Sequence, residues 1–150
     1  MANRRAHTIA GAAAGGTSAF VLARDQEPLH LLVETLGGAL GGGLGGRLPD
    51  LIEPAYYPGH RSVAHALVPV GAVGAAVVPR LRAGQQRARQ RAEQWRARRN
   101  VSTNTIEQLL LWLAEIACRL ASGAMAGIAA GYASHLALDA TTPMGLPLLA

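Results

Sequence analysis

Residues 29–46 read LHLLVETLGGALGGGLGG. Seven glycines fall between positions 37 and 46, and nothing alternates between apolar and polar with a period of two, so the stretch is no strand. Gly37 and Gly41, and Gly38 and Gly42, stand one helical turn apart. Small residues at that spacing let helix backbones approach closely, a packing mode favoured in lipid. In water the same glycines would weaken a helix by about 1 kcal/mol each relative to alanine. The stretch therefore predicts a helix pressed against neighbours along a glycine ridge.

The rest of the chain repeats the theme. Residues 8–23, 63–79 and 105–140 are apolar runs dominated by Ala, Gly, Leu and Val, and Gly123, Gly127 and Gly131 form a second four-residue ladder. The expected fold is all-α: a Gly/Ala-rich bundle of four or five helices, forming one domain over residues 1–150. A membrane span needs about 20 apolar residues and no fewer than about 17. Three runs reach that lower limit, although Glu34 interrupts the second, and the mean hydropathy of +0.19 is modest. The long charge-free stretches and the glycine spacing favour a membrane-embedded bundle. The N-terminus, NRRAHTIAGAAAGG, also has the layout of a signal peptide, but "FVLA" makes a poor cleavage site, so an uncleaved first helix is expected.

The net charge is +5 and every cation is Arg, eight of them between Arg80 and Arg99. This basic arm at 80–100 reads as a solvated helix end near anionic lipid. No recognition fold accompanies it, so nucleic acid is not an expected partner. Glu34, Glu115 and Arg119, inside apolar segments, are expected to pair within the bundle. His30 begins the second helix and reads as structural. Cys118 is the single cysteine and reads as a buried, inert thiol.

The remaining polar residues in apolar surroundings gather at helix ends. His7 starts the first helix. Asp50 follows the second, in GGRLPDLIEP. His60 and His65, in GHRSVAHALVP, precede and open the third. His135 and Asp139 end the last, one turn apart, so they project to one side. In an antiparallel bundle these places converge at one end. Imidazole nitrogens and carboxylate oxygens suit zinc or a similar divalent ion, so a metal site at one end of the bundle is expected.

LPDLIEP, GHRSVAHA and GYASHLALDATTPMGLPLL resemble, in order and approximate spacing, the motifs of the YdjM-like membrane-bound metal-dependent hydrolases. The likeness runs over nearly the whole chain. It implies a multi-pass protein of the bacterial inner membrane with His7, Asp50, His60, His65, His135 and Asp139 as metal ligands. The chain departs from the motif at four places. Ile52 replaces an Asp, Glu53 replaces a His, and Ala64 and Ala66 replace hydroxyl residues.

On this reading one or two divalent ions, zinc first and manganese second, serve a hydrolase acting on a phosphoester or lipid-derived substrate. Glu53 is the candidate general base and Arg61 the candidate holder of an anionic oxygen. The substitutions at Ile52, Ala64 and Ala66 keep a second class open: a non-catalytic membrane or assembly protein whose metal only pins its helices. Membrane lipid and a small or lipid-like substrate are the expected partners, and homo-oligomerisation is left open. The third helix leads away from the ligands into the basic segment. Because basic loops favour the cytoplasm, the metal site is expected on the outer side.

Overall fold

The computed structural model describes residues 4–53 and 66–141. Every element among them is helical: α1 (Arg4–Ala23), α2 (Pro28–Gly45), the short α3 (Leu48–Ile52), α4 (Leu67–Val101) and α5 (Thr105–Ala140). Four long helices and one single-turn helix make the all-α bundle that the glycine ridges and apolar runs predict.

α2 is pressed between α1 and α5 because its glycines open two of its faces. Towards α1, a Cβ on Gly38 or Gly42 would run into the backbone of Gly15 or Gly11, and the reverse also holds. Residue numbers rise on one helix as they fall on the other, so α1 and α2 are antiparallel. Towards α5, Gly123, Gly127 and Gly131 press on the carbonyls of Glu34, Gly38 and Gly42, while Gly37, Gly41 and Gly45 press on those of Leu120, Ala124 and Ile128. Here both numbers rise together, so α2 and α5 are parallel. Backbone-to-backbone approach of this kind brings Cα–H groups onto carbonyl oxygens, worth about 0.5–1 kcal/mol per contact. Any side chain would push the helices apart.

The helix ends follow local rules. Pro28 occupies the first turn of α2, where its missing N–H costs nothing. The Asn104 side chain accepts from the backbone N–H groups of Ile106 and Glu107 and starts α5. α4 continues past Pro79 as unbroken helix to Val101. The Arg80 guanidinium donates to the carbonyl of Ala76 on the turn that the proline loosens, at 2.6 Å.

Residues 80–100 are therefore not a separate arm. They are the C-terminal part of α4, laid antiparallel along α5. Gln85, Ala88 and Ala92 are buried there, and with Arg96 and Arg99 they follow steps of three and four residues, the spacing of a packed helix seam.

The interior holds the polar groups and the outside holds much of the apolar surface. Glu34, Glu115, Arg119, Ser122, His30, His135 and Asp139 are all buried. Leu32, Leu36, Leu40 and Leu44 form a ridge on α2 that is 53–64 % exposed. Among the described residues one helix, α5, is long and apolar enough to cross a membrane.

Candidate metal centre

At the end of the bundle where α1 begins and α2 and α5 finish, His7, His135 and Asp139 come together, all of them buried. One potential ligand atom from each lies within 4.8 Å of the others. α5 supplies His135 and Asp139 from successive turns. The glycine ladder upstream on the same ridge draws α2 close, and the Gly11–Gly42 contact brings the first turn of α1 alongside.

The two imidazoles stack with centroids 3.8 Å apart and planes 22° from parallel. His7 Nε2 stands 3.7 Å from Asp139 Oδ1, and His135 Nε2 stands 3.5 Å from Asp139 Oδ2. Asp50, from α3, brings Oδ1 to 3.6 Å from His135 Nε2 and leaves about a quarter of its side chain exposed. These gaps exceed ordinary hydrogen-bond lengths. They leave His7, His135 and Asp139 close enough that one divalent ion could be held by all three.

The far side of His135 fixes which nitrogen faces the site. Its Nδ1 lies 2.7 Å from the carbonyl oxygen of Gly46. A carbonyl only accepts, so Nδ1 donates there and the ring is turned with Nε2 towards the carboxylates. Orientation of a histidine ligand through its other nitrogen is the usual companion of metal binding. Gly46 itself is required by close approach: a Cβ there would meet the carbonyl of His7 at 2.6 Å and the Cα of Gly11 at 3.2 Å. His7, His135 and Asp139 are the donor set close enough to share a divalent ion, with Asp50 beside His135.

Of the residues expected at the site, the structure brings together His7, Asp50, His135 and Asp139. His60, His65 and Arg61 lie outside the described residues. Glu53 ends α3 three residues after Asp50 and is half-buried. Gly46 and Gly11 were not anticipated. The four-residue spacing of Gly11 and Gly15 is the signal that points to α1 as a further close-packed helix.

A second polar cluster occupies the opposite end. Glu34 accepts from Arg89 Nε at 2.9 Å and Nη2 at 2.6 Å, from Arg119 Nη1 at 3.2 Å and from Ser122 Oγ at 3.0 Å. Arg119 also reaches Glu93 and Gln26. Glu115 meets His30 Nε2 at 2.8 Å and Arg99 Nη1 at 3.0 Å. Glu34 and Arg119 pair within the bundle as expected. Glu115 also pairs within the bundle, with Arg99 from α4 and His30 from α2. The arginines of the basic segment that close this cluster are neutralised, not solvated. Cys118, expected to be buried, is partly exposed on α5.

No family model, curated protein or solved structure matches the chain.

Proposed function

We propose that the protein is a membrane-bound, metal-dependent hydrolase with its centre at His7, Asp50, His135 and Asp139, completed by His60 and His65. The observation that carries this reading is the orientation of His135: Nδ1 donates to the Gly46 carbonyl, and Nε2 faces two carboxylates across gaps of 3.5 and 3.6 Å. A divalent ion held there, zinc or manganese, acidifies water and polarises a phosphoryl or acyl oxygen. Around it the chain's own groups hold and orient. His7 buttresses His135 by stacking, and the partly exposed Asp50 leaves an open side for substrate. Glu53 and Arg61 are the groups proposed for proton transfer and for gripping an anionic oxygen. The resemblance to the YdjM-like hydrolases supports the same assignment, and a phosphoester or lipid-derived substrate suits a site at a membrane surface.

The membrane placement is supported by α5, by the exposed leucine ridge of α2 and by the buried charges. Counted back from Asp139, about 20 residues of helix cross the hydrocarbon and end near Arg119. The metal end then lies at one interface and the charge cluster at the other, in a multi-pass protein of the bacterial inner membrane.

Ile52, 63 % exposed two residues after Asp50, favours a second reading. The resembling family has a carboxylate at that place, and an isoleucine offers no ligand or base. The metal would then only pin α1, α2, α3 and α5 together.

Elemental analysis of the purified protein tests the site, and hydrolysis of generic phosphodiesters and phospholipids, with and without chelator, tests turnover. Near-stoichiometric zinc or manganese, lost in His135→Ala, is expected together with chelator-sensitive hydrolysis. Metal without turnover would select the pinning role. Unchanged metal content in His135→Ala would overturn both.

A further inference from the structure

Between α4 and α5, on the side away from Glu34, runs an open groove of about 600 Å³, within the size range of small-molecule sites. One wall is basic. Arg87 and Arg91 stand one turn apart on α4, both exposed. Arg89, Arg96 and Arg99 are each matched to a glutamate, whereas Arg87 and Arg91 have no ion pair among the described residues. No acidic side chain is among the described residues lining the groove. The opposite wall is small and apolar, with Ala117 and Ala121 one turn apart on α5 and Met125 a turn further on. Gly84 closes the end, where a Cβ would meet Met125 Sδ at 2.7 Å.

We propose that this groove binds an anionic phospholipid. The phosphate would sit between Arg87 and Arg91, with Gln94 available to donate to the headgroup, and an acyl chain would lie along Ala117, Ala121 and Met125. The charge fixes the sign of the ligand, since two unneutralised guanidiniums face a space without a carboxylate. The apolar wall excludes a bare phosphate as the intended occupant, for it would leave most of the groove unfilled. The direction also fits. Arg91 and Gln94 lie towards the charge-cluster end, at the proposed interface, and Met125 lies deeper. Basic pockets between helices are known binding places for anionic headgroups. The groove is remote from His135, so this proposal stands whether or not the metal reading holds.

Calorimetric titration with dihexanoyl phosphatidylglycerol and dihexanoyl phosphatidylcholine, each below its micellar concentration, tests the proposal without depending on a membrane. The wild type is expected to prefer the anionic lipid by about fivefold for each arginine. The variant R87Q/R91Q should bind the two lipids alike. Ala121→Trp, whose ring enters the trough from an exposed position, should bind neither. A preference that persists in R87Q/R91Q, or unchanged binding in Ala121→Trp, would overturn the proposal. Inorganic phosphate that binds as tightly as the anionic lipid would do the same, by showing a simple anion site.

Discussion

The ring of His135 is held twice over: His7 stacks on its face at 3.8 Å, and its Nδ1 donates to the Gly46 carbonyl at 2.7 Å. Gly46 touches the backbone of His7 as well, so a single glycine sets the positions of both proposed ligands. Gly46→Ala should therefore weaken metal binding by about 10–100-fold, as loss of an orienting partner does, with every ligand still present. Competition with a metal-indicator dye measures this, and wild-type affinity would show that the Gly46 contact does not orient the site.

Gly127 sits in the middle of the α5 ridge, against Gly38. Gly127→Leu should destabilise the bundle by about 1–3 kcal/mol through overpacking. It should also lower metal affinity, because the same ridge carries His135. Thermal unfolding with and without added zinc would separate the two effects, and an unchanged melting temperature would mean that the ridge is not packed.

Glu34 has two arginines and a serine on its carboxylate. Arg119→Leu leaves Arg89 on that carboxylate, so it should cost less than the ~3–5 kcal/mol that stranding a buried charge costs. The double variant R89L/R119L removes both cations and should cost that full amount. A double variant no worse than the single one would contradict this account of the cluster.

Glu27 lies between α1 and α2, and the Arg96 guanidinium, 2.7 Å away, holds its carboxyl below the usual carboxylate range. A depressed folded pKa stabilises the protein above the unfolded value of about 4.5, and that contribution disappears as the pH falls through the folded value. Unfolding curves between pH 6 and 3 should show Glu27→Gln less sensitive to acid than the wild type. Parallel curves would assign the acid response to other groups.

The proposed orientation can be read by single-cysteine labelling in a Cys118→Ser background. The metal end and the end carrying Arg96 and Arg99 are opposite ends of the bundle. With the basic end in the cytoplasm, a thiol at position 97 should be shielded from an impermeant reagent in intact cells. A thiol at position 51 should react. The reverse pattern would invert the protein in the membrane and leave its ligands untouched.

Much of this arrangement is legible in the chain. The four-residue glycine ladders encode which helix faces meet, because only backbone contact makes glycine preferable there. The His135–Asp139 spacing encodes a shared direction. The partners of Glu115 were less legible, for eight arginines between positions 80 and 99 look alike until a packed seam selects among them. That seam was hidden by composition: its members Gln85, Ala88, Ala92, Arg96 and Arg99 are not hydrophobic enough to stand out as a core face. The role of Gly46 was invisible for a different reason. It acts through its carbonyl, which every residue has, and only its lack of a side chain distinguishes it.

His7 and His135 lie near opposite ends of the described chain, and this imposes an order on biogenesis. While the protein is being made, α1 and α2 can already zip together through Gly11, Gly15, Gly38 and Gly42. The other face of α2 stays bare until α5 leaves the ribosome. On the proposed metal reading, His7 and Asp50 would spend that interval as half of a chelate, with neither His135 nor Asp139 available to close it. Metal capture would then be a late event, and a nascent chain stalled before α5 should emerge without bound metal.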